Sequence, residues 1–123
     1  MKMTRVFAAT MTAAIFAGQS VLAGQCGYAY CWGAVAIGPN GAWGYSHSHY
    51  SEQNATHALQ TECEWDCDNV HTFYNTCGAI AKAHAGNWGF GKGSTRQSAE
   101  YSALAYCSQY GDGCEVKVWS CSP

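Results

Sequence analysis

Trp32-Gly33-Ala34-Val35-Ala36 with Trp43-Gly44-Tyr45, set against Cys77-Gly78-Ala79-Ile80-Ala81 with Trp88-Gly89-Phe90, decides how the chain is read. A shift of 45 residues superimposes these segments and also lays Ala58-Leu59 on Ala103-Leu104. Three separated blocks in one register point to a repeated supersecondary unit, because chance likeness of Gly/Ala-rich stretches does not keep register across them. The repeats span about residues 31–75 and 76–121.

Periodicity gives the same order of elements in each copy. Residues 32–38 and 42–48 flank Pro39-Asn40-Gly41, and residues 77–83 and 87–92 flank a short turn, so each copy opens with a β-hairpin. A helix follows. Ser51 precedes Ala55, Ala58, Leu59 and Cys63 at helical spacing, and Ser94 with Gln97 makes a capping-box pattern ahead of Ala99, Ala103, Tyr106 and Cys107. Val70–Tyr74 and Glu115–Ser120 supply a last strand for each copy. The expected fold is therefore α+β: two pseudo-symmetric hairpin–helix–strand repeats forming an antiparallel sheet covered by two helices.

Strand alternation segregates bulk. Val35, Ile37, Trp43 and Tyr45 fall on one face, and Ala34, Ala36, Gly44 and Ser46 on the other. In the second copy Ile80, Trp88 and Phe90 oppose Ala79, Ala81, Gly89 and Gly91. The alanine-rich helices are expected over the bulky face, where large sheet residues would fill the space beneath small helix residues. The opposite arrangement stays open at this level. Trp43 and Trp88, recurring in register, are expected to serve the core.

The eight cysteines form an even set in a short chain, the mark of a disulfide framework. Spacing alone leaves connectivity open, but the repeat narrows it. Cys63 and Cys107 end helices while Cys67 and Cys114 begin the next strands, so Cys63 is expected to pair with Cys67 and Cys107 with Cys114. Cys77 and Cys121 would join the first and last strands of the second copy, leaving Cys26 for Cys31.

An oxidising compartment agrees with the N-terminus. Lys2 and Arg5, the apolar run Val6–Gly18 and the small-residue site Val21-Leu22-Ala23 follow the order of an export signal, residues 1–23. The mature part is then a single domain, residues 24–123, secreted or periplasmic, with no later run long enough to span a membrane. After residue 23 only Lys82, Lys92, Arg96 and Lys117 stand against eight acidic residues. That balance disfavours nucleic acid and anionic membranes as partners.

Taken together, Trp32-Gly33-Ala34-Val35-Ala36, Trp43-Gly44-Tyr45, Ala58-Leu59 with Cys63, Cys77-Gly78-Ala79-Ile80-Ala81, Trp88-Gly89-Phe90, Ala103-Leu104 with Cys107, and Trp119-Ser120-Cys121 resemble the domain-of-unknown-function family 4189. The resemblance runs over about residues 31–121. It implies a small exported α+β domain of bacterial proteins, with no agreed activity and no catalytic residues to transfer. The pair Cys26 and Cys31 and the histidine-rich end of the second strand depart from the family's usual appearance.

Candidate chemistry is sparse. His47 and His49, two apart on a strand, would point to one face and chelate zinc or copper if His57 joined them. The second copy has Lys92 and Ser94 there, so the fold itself does not need them, and polar strand-end residues are the simpler reading. Glu62, Glu64, Asp66 and Asp68 form an acidic turn that would suit calcium or merely face water. Gly44-Tyr45-Ser46-His47-Ser48 begins like a nucleophile elbow but ends in serine. Asn54-Ala55-Thr56 has the form of a glycosylation triplet, yet it sits inside an expected helix. No cofactor motif is present. Tyr28, Tyr30, Tyr50 and Trp65 have no repeat counterpart and so are free to be exposed as binding residues, including for sugars, on whose rings aromatic side chains stack. These features favour a non-catalytic interaction module for a protein or cell-envelope partner. A metal-binding or hydrolytic domain built on His47, His49 and the acidic turn is the alternative.

Overall fold

Glycines and alanines dictate how the layers of this molecule meet. The computed structural model describes residues 24–123, and the expected export segment, residues 1–23, lies outside the described residues. The first half runs β1 (Trp32–Ile37), a 3-10 turn (Pro39–Gly41), β2 (Trp43–His49), α1 (Glu52–Glu62) and β3 (Asn69–Tyr74). The second runs β4 (Thr76–Lys82), β5 (Trp88–Gly93), α2 (Arg96–Ser108) and β6 (Glu115–Ser122).

Local chemistry sets these boundaries. The first turn is made by Asn40 and Gly41, both at positive φ (59° and 76°), a conformation these two residue types tolerate best. Ser51 caps α1, its hydroxyl accepting from the Asn54 amide at 3.1 Å. The second cap falls one residue later than Ser94. Thr95 accepts from the Ser98 amide while the Ser98 hydroxyl accepts from the Thr95 amide, both at 3.1 Å, so the reciprocal box uses Thr95 and Ser98.

The strands form two three-stranded antiparallel sheets, ordered β2-β1-β3 and β5-β4-β6, where the alternation alone suggested one sheet. The helices also lie on the face opposite to the one expected. Ala34 and Ala36 of β1 pack against Ala55, Leu59 and Cys63, and Ala79 and Ala81 of β4 pack against Ala99, Ala103 and Cys107. The bulky faces instead meet each other, with Val35, Ile37, Phe73, Ile80 and Val118 in one buried cluster. The layers are thus helix, sheet, sheet, helix.

The reason is spacing. A Cβ on Gly91 would fall on the main chain of Ala103 and Ala99, and one on Gly44 would strike Cys63 and Leu59. Helices approach a sheet this closely only over residues that have almost no side chain. Two sheets face to face stand further apart, and large residues fill that gap. Hydroxyls stitch the sheets at one edge: Ser120 donates to the Ser46 carbonyl at 2.9 Å, and the Ser48 amide donates to Ser122 Oγ at 2.8 Å.

Four disulfides join Cys26 to Cys31, Cys63 to Cys67, Cys77 to Cys121 and Cys107 to Cys114. Cys77 and Cys121 are register partners on β4 and β6. The matching register pair in the first half is Trp32 and Tyr74, whose rings touch at 4.9 Å. A covalent clasp in one half therefore stands where an aromatic contact stands in the other.

Loop closure ranks the bridges. The Cys77–Cys121 bridge has a sequence separation of 44 and Cys26–Cys31 one of 5. The double substitution Cys77→Ala/Cys121→Ala is expected to cost about 4 kcal/mol, and Cys26→Ala/Cys31→Ala about 2 kcal/mol. Denaturant melts of both variants test this, and equal losses contradict the ranking. Gly91→Val is expected to cost about 3 kcal/mol or more, because the clash is with helix backbone that cannot rotate away. Gly41→Val, where nothing lies within 4 Å of an added Cβ, carries only the cost of its positive φ.

Candidate binding surfaces

The segment 24–31 is pinned at both ends, and this positions two of the candidate tyrosines. The Cys31 amide donates to Asn75 Oδ1 at 2.9 Å, Asn75 Nδ2 donates to the Ala29 carbonyl at 3.0 Å, and the Gln25 amide donates to the Pro123 carbonyl at 2.9 Å. Asn75 itself sits at φ 53°, turning the chain between β3 and β4 so that its side chain reaches this segment.

Tyr28 and Tyr30 project from it into solvent. Tyr28 meets Tyr50 at 5.9 Å, and Tyr30 meets Tyr74 edge-on at 5.1 Å. The structure thus brings Tyr28, Tyr30 and Tyr50 to one end of the molecule and adds Tyr74 and Trp32. The signal for Tyr74 lay in the alternation of β3, which sets it directly across from Trp32. Trp65 is elsewhere, exposed on the turn between Cys63 and Cys67 and edge-on to His57 at 5.4 Å.

The three histidines do not assemble. Ser48 takes φ 63°, which breaks the strand alternation, and the β1–β2 register shifts so that His49 pairs with Trp32. His47 and His49 therefore do not share a face as a regular strand would require. His57 is occupied with Trp65 on α1. Among the described residues no three of His, Cys, Asp and Glu gather in a way that could hold a metal ion, and this includes the acidic turn Glu62, Glu64, Asp66 and Asp68. The Ser46 hydroxyl is buried and donates to the Ala55 carbonyl at 2.7 Å, so it fixes α1 to β2.

The stacked sheets leave two seams, β3 beside β5 and β2 beside β6, and these differ. At the first, His71 lies flat on Phe90 (4.7 Å, 17° between planes) and 4.8 Å from Trp88, while the Phe73 ring fills the space beside it. At the second, Val118 and Ser120 occupy the places matching His71 and Phe73. Smaller side chains leave a hollow there. Trp43 and Tyr45 line it with near-parallel rings (10°, centres 6.2 Å apart) and are exposed, Trp43 by 51%, so Trp43 is not the core residue its recurrence suggested. Trp88 is half-buried. On the outer side of β6, the Arg96 guanidinium sits 4.0 Å from the centre of the Trp119 ring and bonds Glu100 at 2.9 Å.

Burial holds the His71 imidazole below its usual pKa of 6.5, because the charged form loses water against the two rings. The unfolded chain then takes up this proton before the folded one does. Stability is full above the ordinary imidazole range and is lost as pH falls through it towards the folded value. His71→Phe is expected to flatten this part of the melting-temperature profile between about pH 8 and 5. An unchanged slope in His71→Phe contradicts the assignment.

Comparison with known proteins places the architecture among others of its kind. A family model described as Domain of unknown function (DUF4189) matches residues 32–121. The chain is similar to the solved NMR structure of Rv1813c from Mycobacterium tuberculosis, with a TM-score of 0.59 and 28% identity, covering 75% of each chain. No curated protein matches it.

Proposed function

This chain belongs to the DUF4189 family of domains of unknown function, and we propose that it is a non-catalytic, exported interaction module that binds a protein or cell-envelope component. The observation that carries the reading is aromatic exposure on a covalently braced scaffold. Eleven tyrosines and tryptophans among the described residues are 38% to 76% exposed. Tyrosine and tryptophan bury large area on binding with few torsions to freeze, and they dominate the energetics of recognition surfaces.

The tyrosine end is the best-defined of these surfaces. Tyr28, Tyr30, Tyr50 and Tyr74 stand together, and the Cys26–Cys31 bridge with the Asn75 hydrogen bonds holds the segment that carries two of them. Rigid presentation lowers the ordering cost that association otherwise incurs. Export is supported by four disulfides, which persist in oxidising compartments, and no helix among the described residues is long and apolar enough to cross a membrane. A non-catalytic role is supported by the structural use of the Ser46 hydroxyl and the pairing of every described cysteine. The same succession of strands and α-helix, and the same strand order in each sheet, supports the reading of the two halves as copies of one unit.

The test is affinity capture from envelope extract and growth medium, using the secreted chain and a Tyr28→Ser/Tyr30→Ser/Tyr74→Ser variant. A partner held by the parent chain is expected to bind the variant at least about tenfold more weakly. Equal capture by both, or turnover of an envelope substrate by the purified chain, overturns the reading.

A further inference from the structure

We propose that the seam between β2 and β6 is a second binding site, a trough for a polysaccharide chain that bears carboxylate groups. It shares none of the tyrosine-end residues, so the two sites can succeed or fail separately.

The trough is elongated. Two neighbouring hollows of about 450 and 510 Å³ share Trp43 and Lys117 in their walls, one on the seam and the next at the hairpin-turn end of the sheets. Together they are lined by β6 from Glu115 to Cys121, which at the rise of a strand is roughly 20 Å. That length suits several linked rings rather than one compact molecule. Cys121, at one end, is fixed to β4 by its disulfide, and Val118 and Ser120 form a floor packed into the sandwich, so the wall is already in place before a ligand arrives.

Its chemistry is mixed in a particular way. Trp43 and Tyr45 offer near-parallel aromatic rings, and a pyranose ring offers an apolar C–H face to stack on them with polar groups around its rim. Lys82 and Lys117 are two of the four Lys and Arg side chains among the described residues, and both line the trough together with His47 and His84. Glu115 is the one acidic residue in the lining, 3.2 Å from Lys117. In a chain of formal charge −2, the lining carries two lysines against one carboxylate, a small positive excess beside the exposed rings that complements an anionic ligand with flat apolar faces.

Carboxylates on a sugar chain fit this better than other polyanions. A single-stranded nucleic acid carries a charge at every nucleotide and would depend on a density of cations that two lysines do not supply. An acidic peptide brings charge but no flat rings for Trp43 and Tyr45. The uncovered state of those rings is particular to this seam. At the other seam the corresponding pair, Trp88 and Phe90, is covered by His71.

The experiment is calorimetry and tryptophan fluorescence on the secreted chain, with a galacturonic acid hexamer, a neutral N-acetylglucosamine hexamer, hexaglutamate and a thymidine hexanucleotide. The uronate hexamer is expected to bind and to perturb tryptophan emission, and each of the other probes to bind at least about tenfold more weakly. Trp43→Ala is expected to weaken uronate binding about tenfold, and Lys117→Gln, a surface change that leaves the fold intact, about threefold with a shallower salt dependence. Tyr28→Ser/Tyr30→Ser should leave it unchanged. No uronate binding, equal binding of any other probe, or parent-like binding by both Trp43→Ala and Lys117→Gln overturns the proposal and leaves the tyrosine end to be judged by its own capture experiment.

Discussion

Each helix lies so close to its sheet that the strand positions at closest approach hold only glycine and alanine. Beneath α2, Gly91 and Gly89 stand directly across from Ala79 and Ala81 on the neighbouring strand, and a methyl group on either glycine would meet helix main chain. Gly44 does the same beneath Leu59 and Cys63 of the first half. Once one face of every hairpin is stripped to hydrogen and methyl groups, bulk has only the other face to occupy. Val35, Ile37, Phe73, Ile80 and Val118 are then too large and too apolar to be left in water. Their burial requires a second sheet, and the chain supplies it from its other half.

A sandwich assembled from two similar halves has similar seams, and small differences in side-chain volume decide what each seam does. At one, His71 covers the rings of Trp88 and Phe90. Val118 with Ser120 leaves the other hollow, with Trp43 and Tyr45 facing solvent. The same economy appears at the far end of the central strands, where Trp32 and Tyr74 take the place of the Cys77–Cys121 bridge and extend the aromatic surface towards Tyr30. Positions released from holding the fold together are the ones at which this chain presents its aromatic side chains.

Much of this was legible in the residues. Hairpins flanking Pro39-Asn40-Gly41, the Ser51 cap and the alternation of the strands are local properties, and local chemistry predicts them well. What failed depended on distance or on irregularity. Which face the helices cover is set by the width of a gap, and alternation says only that the two faces differ. Thr95 with Ser98, rather than Ser94 with Gln97, forms the reciprocal cap, and residue types alone do not separate two such boxes one residue apart. His47 and His49 parted because Ser48 adopts a left-handed conformation that no pattern of residue types announces. A fixed offset of 45 residues also slips along the last strand. The second half is already one residue longer where its last strand begins, and a bulge between Val116 and Val118, opposite Ala81 and Ile80, adds one more, which hid the match of His71 to Val118. Tyr28, Tyr30 and Tyr50 were recognisable by having no counterpart, but their meeting with Tyr74 needed the folded chain.

The hydrogen bond from the Gln25 amide to the Pro123 carbonyl makes the described backbone close to a ring. Joining residues 24 and 123 and reopening the chain in the exposed turn at Ala85 and Gly86 would keep all four disulfides and every strand neighbour. It would, however, turn the β4–β5 hairpin from the most local contact in its half into a pairing of opposite chain ends. Such a permutant would share the native architecture yet reach it more slowly, since the entropy of closing a long loop would precede the first contacts of that sheet.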